Sequence, residues 1–282
     1  MMKERKMTAE MVLAFKKQLV AEELAEGTIR KYERDLAAFA AWVKDAEITK
    51  ERSAKWKEHL IGQGYAPVTV NSMLAAVNTF FKFAGWHDCC IRFLKIQRKL
   101  FRDQSRELTA AEFKRLVETA DATGRKRMAM LLETMAATGI RVSEVRYITV
   151  EAAQRGRAEI ALKGKIRTIL LSAKLCRKLL KYARKNQIAS GEIFLTRSGR
   201  GVSRKQIWAE MKRLCRTAGV EASKVFPHNL RHLFATAFYR ASKDIAKLAD
   251  VLGHSSVETT RIYLVSTGAE HVQQLDRLGF VS

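Results

Sequence analysis

Proline is nearly absent. Pro67 and Pro227 are the only two in 282 residues, and since proline breaks helix interiors, long helical patterns are left free to run. No stretch approaches the roughly 18–20 consecutive apolar residues of a membrane-spanning helix, so no membrane partner is expected. Residues Met1 to Lys6 are charged and lead into no apolar core, which excludes a secretory signal and makes the cytoplasm the expected location. Cys89, Cys90, Cys176 and Cys215 form no C-x-x-C pair and no zinc spacing; they are expected to be buried or idle thiols in a reducing compartment. Acidic residues are scarce too: 29 stand against 52 lysines and arginines, a net charge of +23. Such an excess points to a polyanionic partner, above all nucleic acid, because every neutralised phosphate releases a counterion.

What is present is helical periodicity. Met11, Phe15 and Leu19 predict a first helix. Ile29, Tyr32, Leu36, Phe39, Trp42 and Val43 share one face of a second, with Thr28 as its expected N-cap after Gly27. Trp56 and Leu60 mark a third helix ending near Gly62 to Gly64. Pro67 opens a fourth, carrying Val70, Leu74, Val77, Phe80, Phe81 and Ala84 inward, stopped by Gly85. Residues 1–95 therefore read as a helical bundle. Residues 96–106 form a basic linker suited to lie along a phosphate backbone. A second domain, 107–282, opens with a capping box at Thr109 and Glu112. Its next helix holds Met128, Leu131, Leu132 and Met135 and ends at Thr138-Gly139. Strands are expected at 158–162 and 168–171, joined by a tight turn over Lys163 to Arg167, with helices at 173–186, 204–217, 228–240, 243–252 and 257–265. The fold class expected is mainly α with one small antiparallel β-sheet.

Chemistry concentrates between Pro227 and Tyr263. Breaking a phosphodiester without metal or water needs donors for the non-bridging oxygens, for which the planar arginine fork suits best. It also needs a nucleophile able to store the bond, which a tyrosine can do, and an acid for the leaving oxygen, a task for lysine or histidine. His228 and Arg231 lie three apart at a helix start, where the N-terminus itself favours an anion. His254 follows the expected C-cap Gly253, and Tyr263 lies nine residues further on. Arg141 stands in Thr138-Gly139-Ile140-Arg141, with Glu144 placed to hold its guanidinium. Lys163 and Lys165 flank the hairpin turn. Each taken alone has an ordinary structural reading: a turn lysine, a helix-closing histidine, a core tyrosine.

Their joint occurrence in this order resembles the tyrosine recombinase, or phage integrase, family. The resemblance spans both domains. It implies a SAM-like helical core-binding bundle followed by a catalytic domain. It also implies that Arg141 and Arg231 clamp a scissile phosphate, that His228 bonds a phosphate oxygen and acts in proton transfer, and that His254 bonds a non-bridging oxygen. Tyr263 would attack to leave a 3′-phosphotyrosyl link, with Glu144 supporting the pocket. Lys163 would be the general acid; the hairpin is one residue shorter than in many Xer-like relatives, which leaves Lys165 as the alternative. No metal, ATP or other cofactor is implied. The expected partners are double-stranded DNA carrying specific recombination sites and a homo-tetramer of this chain on DNA, exchanging strands through a Holliday junction. Val272, Leu275, Leu278 and Phe280, at helical spacing, make 266–282 the expected subunit contact. Integration or excision of a mobile element is the expected role, since the basic linker and the Leu-Gly-Phe-Val-Ser ending look unlike typical Xer proteins. The competing readings are a Xer-like resolvase of chromosome or plasmid dimers, a type IB topoisomerase, and a non-catalytic DNA-binding relative.

Overall fold

A computed structural model describes residues 5–44, 46–96, 106–162, 165–263 and 276–277. The chain divides into two compact units, Met1–Arg98 and Lys99–Ser282. Most of the linker expected at 96–106, together with the turn residues Lys163 and Gly164 and nearly all of 266–282, lies outside the described residues.

The first unit packs four helices, α1 (Ala9–Ala21), α2 (Glu26–Val43), α3 (Lys50–Gly62) and α4 (Pro67–Phe83). Pro67 sits in the first turn of α4, where its missing N–H has no intrahelical partner to lose. The inward faces meet in an aromatic core. Phe39 packs edge-on to both Trp56 and Phe81, with ring centroids 5.6 and 5.7 Å apart, and Phe15 packs edge-on to Phe80 at 5.5 Å. Each such side chain contributes roughly 1.5–3 kcal/mol through burial. One cap differs from expectation. α2 begins at Glu26 with Ala25 as N-cap and no side-chain bond, which places Thr28 inside the first turn. The segment after α4 is latched to it by two asparagines. Asn78 donates to Ile91 O at 2.9 Å and accepts from Ile91 N at 2.8 Å, and Asn71 exchanges the same pair of bonds with Leu94 at 2.9 and 2.8 Å. The seven-residue spacing is two helical turns, so both amides face one line of backbone.

The second unit begins at α5 (Ala110–Ala122), whose Thr109–Glu112 capping box is formed as expected. Then come α6 (Lys126–Thr138), a 3₁₀ turn (Val142–Tyr147) and α7 (Val150–Arg155). The two strands β1 (Arg157–Leu162) and β2 (Lys165–Leu170) pair antiparallel, with Leu162 opposite Lys165. The loop is thus shorter than the sequence predicts: Lys165, Ile166 and Arg167 belong to β2. The ladder's cross-strand bonds, which periodicity does not reveal, extend that strand. α8 (Ala173–Lys185), α9 (Arg204–Ala218), α10 (Pro227–Ser242), α11 (Ile245–Leu252) and α12 (Val257–Arg261) complete the unit. Lys243 is not the start of a helix: at φ 53° it closes α10, and Asp244 caps α11 by accepting from Lys247 N. Buried residues of α5 to α10 and the hairpin form one continuous core. Cys89, Cys176 and Cys215 are buried free thiols, and burial is the largest influence raising each pKa. Among the described residues, no helix is long and apolar enough to cross a membrane.

Candidate active site

Two tight helix ends and one proline-led helix start bring the site together. α6 ends on Gly139 at φ 63°. A Cβ there would overlap the Phe234 ring of α10, so glycine provides both the left-handed turn and the close approach. The chain then runs through Arg141 into the 3₁₀ turn. Pro227 opens α10 and places His228, Arg231 and His232 in its first turns. α11 ends on Gly253 at φ 62°, where a Cβ would overlap the Arg167 side chain, and His254 follows.

The sequence motifs meet around Tyr263. Arg141 donates from Nη1 to Glu144 Oε1 at 2.9 Å, and its backbone N–H donates to Oε2 at 2.8 Å. The Arg141 side chain is 44% exposed while Glu144 is 3% exposed, so the carboxylate is interior and the guanidinium opens to solvent. Arg231 is buried and donates to Gly139 O (2.5 Å), Leu252 O (2.8 Å) and His254 Nε2 (2.7 Å). Three of the five guanidinium N–H groups are thereby used. Tyr263 also acts on Arg231 electrostatically, opposing the fall in the Arg231 pKa that burial and the Arg141 charge cause. The Tyr263 ring is stacked on His254 at 5.9 Å, tilted against His228 at 5.8 Å and edge-on to His232 at 5.1 Å. His254 Nδ1 lies 2.9 Å from Thr260 Oγ1.

A guanidinium can only donate, so His254 Nε2 must be the acceptor and Nδ1 must carry the proton toward Thr260. Burial, then the charges of Arg231, Arg141 and Arg167, push the His254 pKa down to about 4, which keeps the ring neutral at pH 7. In this arrangement Nε2 accepts from Arg231. Lys165 is placed at the start of β2, the description extending only to its backbone; Lys163 lies outside the described residues.

Sequence reasoning missed Arg167. From β2 it donates through Nη1 to both Glu144 oxygens at 3.1 Å and through Nη2 to Val251 O at 3.1 Å. Burial lowers its pKa to about 10, opposed first by Glu144, so it stays protonated. The available signal was strand alternation, which puts residues 165 and 167 on one face. His232 and Thr260 were also given no role. With His254 neutral, three guanidiniums face one carboxylate at this site, 3 − 1 = +2. A surplus of that sign beside a phenol fits an anion that gains charge as the phenol's oxygen attacks it.

Residues 106–270 match the phage integrase family, and residues 12–88 match the phage integrase N-terminal SAM-like domain. The tyrosine recombinase XerA of Pyrococcus furiosus is 29% identical, with 97% of this chain and 95% of that protein covered. The tyrosine recombinase XerD of Rhizobium meliloti is 30% identical, covering 91% of each. Among solved structures, the Tn1549 transposon integrase in complex with transposon right end DNA shares the fold at a TM-score of 0.72 and 13% identity, over 95% of this chain and 99% of that one. A lambda integrase dimer bound to a COC′ core site does so at 0.72 and 16%, over 91% and 94%. The chain therefore belongs to the phage integrase family: it is a tyrosine recombinase, an enzyme that cleaves and rejoins DNA strands.

Proposed function

We propose that the chain is a site-specific recombinase in which Tyr263 is the nucleophile and Arg141 and Arg231 clamp the scissile phosphate. The Tyr263 oxygen forms a bond to phosphorus as the bond to the 5′ oxygen breaks, leaving a 3′-phosphotyrosyl ester and a 5′ hydroxyl. Lys163, or alternatively Lys165, protonates the leaving oxygen, and His228 takes part in removing the phenolic proton. His254 bonds a non-bridging oxygen and orients Arg231, and Glu144 orients Arg141. Because the ester keeps the bond energy, a 5′ hydroxyl of another strand can reverse the attack and exchange strands through a Holliday junction. Residues 1–95 act as the core-binding domain, 96–106 as a basic linker on the phosphate backbone and 107–282 as the catalytic domain. A homo-tetramer on two DNA sites, joined through 266–282, does the work.

The observation that carries this reading is the Tyr263 ring stacked, within one chain, on the His254 imidazole that bonds Arg231, at a site whose Arg141 guanidinium is open to solvent. A nicked suicide substrate tests it: a covalent protein–DNA adduct forms, and none forms with Tyr263→Phe. An adduct that persists in that variant sinks the assignment, and relaxation of plasmids lacking any specific site would favour a type IB topoisomerase. The biological role we favour is integration or excision of a mobile element. The relatives named XerA and XerD support a second role, resolution of DNA dimers. Recombination between two plasmids supports the first; reaction confined to two sites on one molecule supports the second.

A further inference from the structure

Three guanidiniums and one carboxylate form a closed circuit at this site. Glu144 accepts from the Arg141 backbone N–H, from Arg141 Nη1 and, through both oxygens, from Arg167 Nη1. Arg167 Nη2 then takes the Val251 carbonyl, and Arg231 Nη2 takes the next one, Leu252 O. Arg231 Nη1 closes the ring at Gly139 O, two residues before Arg141. Cationic donors at consecutive carbonyls also suit the negative end of α11. Within this circuit Arg141 is 44% exposed and Arg167 only 11%. Arg167 is thus shut away from any anion that Arg141 meets, yet it is the only side chain in the circuit that ties Glu144 to the end of α11. Gly253 lies against it, and any side chain at that position would displace it.

We propose that Arg167 is a positioning residue that sets the spacing between the two clamp arginines by joining Glu144 to the α11 end that Arg231 also holds. The inference rests on the reading of Tyr263, Arg141 and Arg231 given above. Its effect falls on the cleavage step and not on DNA affinity, because the side chain does not face the ligand. A misplacement of about 1 Å at a reacting centre can slow a reaction about 100-fold.

The test measures single-turnover cleavage of a suicide substrate at saturating DNA, and DNA affinity separately. Arg167→Met slows cleavage by about 100-fold and leaves the dissociation constant for DNA unchanged. Arg167→Lys recovers part of the rate, because one ammonium keeps the charge on Glu144 but lacks the fork that reaches Val251 O as well. On a Glu144→Gln background, Arg167→Met adds little further loss, as expected for residues acting as one unit. Unchanged cleavage in Arg167→Met overturns the inference, as does full additivity with Glu144→Gln, or a loss that appears in affinity alone. If the methionine variant fails to fold, the lysine variant decides: a rate equal to the parent's overturns the proposal. Tyr263→Phe is run alongside. An adduct in that variant overturns the underlying reading, whereas a normal rate in Arg167→Met with no adduct in Tyr263→Phe overturns only this inference.

Discussion

Asn78 in the first unit and Arg231 in the second are both polar and both buried, at 8% and 3% exposure, but their surroundings differ in kind. Asn78 exchanges a donor and an acceptor with the Ile91 backbone. The pairing is neutral. Asp35, also buried in the first unit, is met by Lys31 at 2.6 Å and Arg34 at 3.0 Å, so its charge is matched. Arg231 instead bonds two carbonyls and a neutral imidazole, and the Arg141 charge beside it lowers its pKa further after burial. Among the described residues, only the second unit leaves positive charge uncancelled inside the protein. Removing an interior charge from water is costly unless it is paired, so such a surplus is a poor way to build stability and a good way to receive an anion. The contrast separates a buried polar group whose bonds are balanced from one whose charge is left over.

Substitutions on the two sides of this contrast should have opposite signatures. The largest effect is expected from Arg231→Met. Losing a preorganised donor to a charged transition state costs about 10²–10³ in rate, so single-turnover cleavage should fall by at least that much while circular dichroism still reports a folded helical protein. Comparable cleavage rates would place Arg231 with the structural groups. Asn78→Leu should show the reverse pattern. It strands the Ile91 N–H and C=O, and a buried unsatisfied group costs about 1–3 kcal/mol, so urea unfolding should shift to a lower midpoint. The cleavage rate of the folded enzyme at saturating DNA should not change. A slower chemical step in this variant would mean that the latch on 91–94 does more than hold the bundle.

The smallest effect concerns pH. The His254 pKa is depressed from 6.5 to about 4 in the folded state. Between those values the unfolded chain binds a proton that the folded chain does not, so the His254 contribution is fully present above pH 6.5 and is lost as pH falls toward about 4. Thermal melts over that window should lose less stability in His254→Gln than in the parent. Equal losses would show that the ring is not held neutral by burial and by Arg231.

Much of this was legible in the residues. Gly139, Arg141 and Glu144 lie within six positions, so one turn of backbone decides their contact, and the expected pairing of Arg141 with Glu144 is the one observed. The capping box at Thr109 and Glu112 formed for the same reason. Local signals failed where tertiary contacts overrode them. Thr28 has the chemistry of an N-cap, but α2 starts earlier, at Glu26. The hairpin loop was drawn too long because Ile166 and Arg167 owe their strand conformation to bonds with β1. Arg167 escaped notice because the turn expected over Lys163 to Arg167 hid its strand alternation among 52 basic residues.

The sequence alone determined the local groupings Gly139 to Glu144, His228 to Arg231 and His254 to Tyr263, because these are short-range patterns carried by neighbouring helices and turns. Only the tertiary structure decided that Gly139, Arg231, Leu252 and His254 meet, that Arg167 reaches Glu144, that Tyr263 stacks on His254, and which nitrogen of His254 faces a guanidinium. Those contacts join residues up to 92 positions apart, and it is the packing of whole helices, not the propensity of any segment, that brings such distant groups within hydrogen-bonding reach.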